Sequence, residues 1–375
     1  VSDPTKQAEA SSSLILAQQL AERIRRNGKI TFHEWMNAAL YHPTLGYYNR
    51  QDLKRWGREG DYRTSPERSE LFSAVFARYF ATLYEKLDQP RNFSIVEMGA
   101  GNGQFAAGVL QVLQDQFPAV FAATNYLIHE KSEDARRRAM QTLSEWESKV
   151  KFENLEQRAP LAAGVVFSNE LLDAFPVHRV TMADGDLQEL YVGLDAEGEF
   201  TWGSGALSCD RLKEFCRNQL PLLTEGQTVD INLEVHEWFQ LLEKKLERGY
   251  VVTVDYGSES PELYQTQERH DGTLRGFRRH SFVGNVLKSP GDTDLTTSVD
   301  WTYVKSEGKR CGFAVEEFGQ LDKFLLRVGI LNELEKRMTA TSKEADKSRL
   351  TTAAREMILP SGMASSFQVL VQKRS

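Results

Sequence analysis

One run constrains this chain more than any other: Ile95-Val96-Glu97-Met98-Gly99-Ala100-Gly101-Asn102-Gly103. It predicts a short apolar strand that ends in an acidic residue and runs straight into alternating glycines. Residues 105–116 then carry helical spacing. Glycines at such a junction permit a tight turn and let a ligand approach the backbone closely. Two ligand classes are excluded by the spacing. A dinucleotide fingerprint needs its third glycine at position 104, where Gln104 stands. A phosphate loop needs Gly-Lys followed by Ser or Thr, and none is present. A purely structural strand-to-helix turn is the plain alternative.

The surrounding pattern supports a mainly parallel sheet covered on both faces. Residues 125–129, 150–152, 165–167 and 250–254 read as strands, and 133–147 and 235–248 as helices. Two segments break the rhythm. Between residues 168 and 250, alternating runs and turns at Asp184-Gly185 and Glu197-Gly198 predict an inserted hairpin or meander. Residues 257–303 are polar and turn-rich, a long loop of the kind that is usually functional.

Ahead of the sheet, residues 1–10 read as disordered. Two helices are then predicted. The first is capped by Ser11 to Ser13, has Leu14, Leu16, Leu20 and Ile24 inward, and ends at Asn27-Gly28. The second starts at Thr31 with Phe32, Trp35, Met36 and Leu40 inward. A third helix is expected from Pro66, with a possible capping box from Thr64 to Glu67. The expected division is a helical cap over 1–90, a Rossmann-like core over 91–175, an inserted substrate region over 176–248, and the rest of the core over 249–375.

Composition narrows the class. The chain has 375 residues, 53 acidic against 46 basic, for a formal net charge of −7. That balance argues against nonspecific polyanion binding, and so against nucleic acid as the main partner. Cys209, Cys216 and Cys311 lack paired spacing, which excludes a disulfide scaffold and a cysteine zinc site and fits a reducing compartment. No metal site is expected. The longest apolar runs are strand-sized, far short of the ~20 residues that span a bilayer. The polar start reads as a bacterial cytoplasmic protein, although a processed mitochondrial form also fits.

Ligands of open α/β sheets sit beyond the carboxyl ends of the strands. Glu130 ends the second strand and is placed to accept hydrogen bonds from ribose hydroxyls; a solvated carboxylate is the alternative. Asn154 and Leu155 follow the third strand and are candidates to flank a base. Asn169 and Glu170 end the fourth, where cofactor and substrate would meet. If a helical turn starts there, Glu170 and Asp173 share a face and suit a cationic substrate. Asp173 has a second reading as a helix-start residue. Asp255, at the end of the fifth strand, reads as a substrate ligand or as a structural anchor. Trp35 and Trp301 read as core.

An acidic residue before Gly-x-Gly-x-Gly resembles the first motif of class I S-adenosylmethionine-dependent methyltransferases. The resemblance becomes specific along most of the chain. Leu45-Gly46-Tyr47-Tyr48, Gly60-Asp61-Tyr62-Arg63-Thr64-Ser65-Pro66-Glu67, the glycine motif and Asn169-Glu170-Leu171-Leu172-Asp173-Ala174-Phe175-Pro176-Val177-His178 stand in order. Asp255-Tyr256-Gly257, Thr273-Leu274-Arg275-Gly276-Phe277, Pro290-Gly291 with Asp294-Leu295-Thr296, and Val299-Asp300-Trp301 follow. Together they resemble the MidA family of arginine methyltransferases, linked to assembly of respiratory complex I. Ala100 stands where the family often has proline, and Ala364 where glycine is usual.

The resemblance implies a Rossmann-like fold with S-adenosyl-L-methionine as cofactor. It implies cofactor contacts at Glu97, Gly99, Gly101, Gly103, Glu130, Asn154, Leu155 and Asn169, with Thr64 and Ser65 over the cofactor. Methyl transfer to a protein arginine, with symmetric dimethylation, is the implied activity. Glu170 is the leading clamp on the substrate guanidinium and Asp173 the second. Asp255, Arg275, Phe277 and Asp294 are candidate substrate contacts, with a complex I subunit as a candidate partner. A small-molecule methyltransferase, or a cofactor-binding assembly factor with little turnover, is the alternative.

Overall fold

The apolar run Phe93–Met98 forms a strand buried at every position, and its two neighbours decide the sheet. In the computed structural model, which describes residues 4–53, 70–278, 281–359 and 362–375, it pairs in parallel with Thr124–His129 on one side and Gly164–Asn169 on the other. The chain runs outward from Phe93–Met98 through Thr124–His129 to Val150–Phe152. It then returns to the opposite side for Gly164–Asn169 and Gly249–Ser258. That reversal opens a crevice at the carboxyl ends of Phe93–Met98 and Gly164–Asn169. Phe367–Arg374 inserts antiparallel between Gly249–Ser258 and Ala314–Gln320.

The contacts divide the chain into two units. One gathers residues 63–171, 238–257 and 305–375 around this sheet. Its core is aromatic. Phe72, Phe76 and Phe80 project from the helix Glu70–Lys86 toward Phe105 and Phe167. Phe105 and Phe167 stack with centroids 4.3 Å apart. The spacing of Phe72, Phe76 and Phe80 puts all three on one helical face, so a single stripe covers the sheet. Strand approach is close at Gly164, where an added Cβ would lie 2.2 Å from the Ser94 carbonyl oxygen. Gly164→Ala is therefore expected to cost about 1–3 kcal/mol, read by urea unfolding.

The other unit gathers residues 1–62, 172–237 and 258–304. Its sheet has the order Ile30–Thr31, Asp186–Leu194, His178–Ala183, Thr228–Ile231, and Phe200–Gly205 also pairs with Asp186–Leu194. The turn at Asp184 and Gly185 has φ of 56° and 80°, the left-handed pair that a two-residue hairpin needs. The inserted meander expected from the sequence is present, extended by Thr228–Ile231. Helix Phe32–Tyr41 begins with a capping box, in which Thr31 Oγ1 accepts from the Glu34 N–H and Glu34 Oε2 from the Thr31 N–H. Phe32, Trp35, Met36 and Leu40 are buried, as is Trp301.

Four expectations are corrected. The first helix spans Pro4–Asn27, so residues 4–10 are helical and not disordered. Leu16, Leu20 and Ile24 are buried at four-residue spacing, which turns Leu14 outward to 62% exposure. The helix read over 133–147 is Glu133–Thr142 followed by the 3₁₀ turn Ser144–Trp146. The stretch read as a loop over 257–303 holds the helix Ser260–Gln265 and a small sheet of Ser281–Phe282, Arg275–Arg278 and Asp294–Thr296. Pro66 and the Thr64–Glu67 box lie outside the described residues. Among the described residues, no helix is long and apolar enough to cross a membrane.

Candidate active site

The sheet unit builds a site from four strand ends. After Phe93–Met98, Gly99, Gly101 and Gly103 all take left-handed backbone, with φ of 74°, 56° and 79°. Side chains strain that conformation, which is why the loop is glycine-rich. Two of the glycines also answer to packing. A Cβ on Gly103 would stand 3.1 Å from Ala139 Cα, and one on Gly99 3.0 Å from Leu171 Cδ1. The second contact sets the glycine loop against the residue that follows Glu170.

Glu130, at the end of Thr124–His129, closes onto this loop. Its carboxylate accepts from the Gly101 N–H at 3.1 Å and from the Ser132 N–H at 2.8 Å. The third strand end is tied in through His129, whose Nδ1 accepts from the buried Leu155 N–H at 3.0 Å. Burial lowers the His129 pKa, so its ring is neutral and Nδ1 is free to accept. Asn154 is occupied locally, its Oδ1 accepting from the Glu156 N–H at 3.0 Å as the cap of a 3₁₀ turn.

Glu97 is almost fully buried, and Tyr126 Oη donates to its Oε2 at 2.6 Å. Burial pushes its pKa up to about 8, against the Tyr126 bond that lowers it, with the Glu130 charge adding to the rise. Glu97 therefore holds its proton at neutral pH in the fold and loses it when unfolded. Its contribution to stability is full below the ordinary carboxyl range and disappears as pH rises through about 8. Glu97→Gln is expected to flatten the fall in stability between about pH 5 and 8 by up to about 1.4 kcal/mol per pH unit. Thermal melts across that range check it.

At the end of Gly164–Asn169 the chain makes an unusual turn. Glu170 has φ of 50°, left-handed backbone that costs a non-glycine residue about 1–2 kcal/mol. Its N–H donates to the Val254 carbonyl at 2.9 Å, and Asn169 Nδ2 donates to its Oε1 at 3.0 Å. No helix starts here. Residues 172–175 form a turn closed by the Phe175 N–H on the Leu172 carbonyl at 3.3 Å, and Pro176 follows. The helical turn that would put Glu170 and Asp173 on one face is thus replaced by a left-handed kink.

The remaining candidates belong to the other unit, except for Asp255. That carboxylate is fully buried in the sheet unit and accepts from the Leu171 and Tyr256 N–H groups at 3.2 and 2.9 Å. Asp173 is buried, and its carbonyl accepts from the Thr297 N–H at 2.9 Å. Arg275, Phe277 and Asp294 come together on the small sheet, with Phe277 directly opposite Asp294 in register. Tyr48 Oη donates to Asp294 Oδ1 at 2.8 Å, and Phe277 packs on exposed Phe282 with centroids 4.7 Å apart. Arg275 is exposed. Thr64 and Ser65 lie outside the described residues.

Sequence reasoning missed Tyr126 and Tyr48 as partners of Glu97 and Asp294. It also missed Arg50, a buried guanidinium held by Asp52 at 2.6 Å, by Asp292, and by the Gly291 carbonyl at 3.2 Å. The only available signal was that Tyr48 and Gly291 belong to quoted landmarks.

The strand ends converge on a left-handed glycine loop, the Glu130 carboxylate and an orphaned acceptor. Asn169 Oδ1 is buried with no hydrogen-bond partner among the described residues, which suits a donor on a ligand. This chemistry fits S-adenosylmethionine, and the protein is an S-adenosylmethionine-dependent methyltransferase. The chain belongs to the family of S-adenosyl-L-methionine-dependent methyltransferases (Methyltransf_28) whose model matches residues 75–319. That is the MidA family to which the landmarks pointed.

Relatives extend beyond the matched segment. The chain is 29% identical over 335 residues to the protein arginine methyltransferase NDUFAF7 homolog, mitochondrial, of Drosophila melanogaster, covering 80% of this chain and 73% of that one. It is 25% identical to protein arginine methyltransferase NDUFAF7, mitochondrial, of Danio rerio, covering 97% and 88%. Among solved structures, a COG1565 superfamily member from Burkholderia thailandensis bound to S-adenosyl-homocysteine superposes with a TM-score of 0.86 at 26% identity. That alignment covers 100% of this chain and 95% of the other.

Proposed function

We propose that the protein methylates an arginine side chain of a protein partner, with symmetric dimethylarginine as the product. The observation that carries this reading is Glu170 on a left-handed turn whose next residue, Leu171, packs beside Gly99 of the glycine loop. The names of the relatives, protein arginine methyltransferases, supply the substrate class.

S-adenosylmethionine supplies an electrophilic methyl group on a sulfonium. Gly99, Gly101 and Gly103 would let its amino-acid end approach the backbone, Glu130 would take the ribose hydroxyls, and Leu155 would flank the adenine. Asn169 Oδ1 would accept a hydrogen bond from the cofactor. Glu97, as a neutral acid, would support the loop.

A guanidinium is charged and delocalised near neutral pH, and so a poor nucleophile. A carboxylate fork at Glu170 would localise charge on two nitrogens and turn the third toward the methyl group. Orientation of this kind contributes several kcal/mol, up to about 7–11. Asp294, Arg275 and Phe277 are candidate contacts to the protein partner. A respiratory complex I subunit is the partner class suggested by the family resemblance. The three unpaired cysteines fit a reducing compartment, the bacterial cytoplasm or, for a eukaryotic source, the mitochondrial matrix.

Calorimetry with S-adenosylmethionine, followed by transfer of labelled methyl groups to a matched cell extract, tests the proposal. Label in the protein fraction is expected. Label confined to small molecules favours a small-molecule substrate, and binding without transfer favours an assembly factor.

A further inference from the structure

The strand Gly249–Ser258 pairs with Gly164–Asn169 as far as Val254 opposite Asn169. One residue further on, the two chains part, and Glu170 and Asp255 face that divergence. The backbone there needs support, because Glu170 is left-handed and is not glycine. Val254 supplies one bond, its carbonyl taking the Glu170 N–H at 2.9 Å. Asp255 supplies the next, its Oδ2 taking the Leu171 N–H at 3.2 Å. Its other oxygen takes the Tyr256 N–H at 2.9 Å, which fixes the carboxylate plane on its own strand. The whole residue is excluded from solvent.

A buried carboxylate whose two oxygens each accept a backbone N–H is committed to the local chain path. The peptide it holds is the one between Glu170 and Leu171. With the Glu170 N–H held by Val254, rotation about the Glu170 N–Cα bond would relieve the left-handed φ, swing its side chain and carry the Leu171 N–H away from Asp255, and the Leu171-to-Asp255 bond opposes it. Leu171 is also the side chain that Gly99 makes room for, so the same bond keeps the turn registered against the glycine loop.

We propose that Asp255 is a positioning residue for Glu170 and not a substrate ligand. It holds the Leu171 N–H so that the Glu170 carboxylate is pre-set in its reactive direction before substrate arrives. This rests on the reading of Glu170 as the substrate clamp. Misplacement of a reacting group by about 1 Å costs about a hundredfold in rate, which sets the expected effect.

The test uses the full chain with Asp255→Ala, which removes both acceptor oxygens. Three quantities are read: hydrogen exchange of the Leu171 amide, affinity for S-adenosylmethionine, and the rate of tritiated methyl transfer to the protein fraction of a matched extract at saturating cofactor. The expected result is at least about tenfold faster Leu171 exchange, cofactor affinity within about threefold of wild type, and a rate lower by about a hundredfold.

Unchanged Leu171 exchange or an unchanged rate overturns the proposal. A rate lost together with cofactor affinity also overturns it, because a general structural defect does that. If Asp255→Ala does not fold, Asp255→Glu is read instead. It keeps both acceptor oxygens and displaces them by one methylene, and a reduced rate at intact cofactor affinity supports the proposal. If the wild-type protein itself transfers no methyl group to protein, the arginine reading fails, while Leu171 exchange still decides whether Asp255 holds the turn.

Discussion

Glu170→Gln is expected to bind S-adenosylmethionine within about threefold of wild type and to transfer methyl groups at about 100- to 1,000-fold lower rate. The amide keeps the size of the side chain and an oxygen for the Asn169 Nδ2 donor, which lies 3.0 Å from Oε1 in the wild type. It removes the negative charge and one acceptor oxygen. A guanidinium clamped by a carboxylate receives two parallel charge-assisted bonds, and an amide offers only one neutral acceptor. The loss falls on orientation and on charge localisation, both of which act on the transfer step and not on cofactor affinity. Paired calorimetry and initial-rate measurements separate the two. Equal loss of affinity and rate would assign Glu170 to the cofactor instead.

The second large effect belongs to Gly101. Its φ of 56° is strained for any side chain and is an outlier for a β-branched one. Its N–H also reaches Glu130, so the residue joins the glycine loop to that carboxylate. Gly101→Val is expected to weaken cofactor binding more than about a hundredfold, at least about 2.7 kcal/mol. The loop must leave left-handed backbone, and Glu130 loses a bond that orients it. The sheet beneath should persist, because Phe93–Met98 and its neighbours are held by their own ladders and by the phenylalanine core. Circular dichroism with calorimetry checks both halves of the expectation.

Much of the geometry around the glycine loop was legible in the sequence because its signals are local. An apolar run ending in Gly99, Gly101 and Gly103 specifies strand, turn and helix within a dozen residues. Glu130 could be placed by counting one helix and one strand onward. The Thr31-to-Glu34 spacing is likewise a local capping signature. The substrate side depends on distant partners. Nothing near Glu170 announces a left-handed turn, since the carboxylate that secures Leu171 lies 84 residues further along the chain. The strands Arg275–Arg278 and Asp294–Thr296 are short and polar, and their pairing across an intervening segment leaves no period to read. Leu14 was misplaced for a simpler reason: it sits off the four-residue spacing shared by Leu16, Leu20 and Ile24, and apolar character alone did not reveal that.

The chemistry of the product decides the matter. Wild-type protein incubated with tritiated S-adenosylmethionine and a matched cell extract should deposit label in the protein fraction, and acid hydrolysis of that fraction should release it as symmetric dimethylarginine. Label appearing only in the low-mass fraction, or in an amino acid other than a methylated arginine, would contradict a protein-arginine methyltransferase built on Glu170.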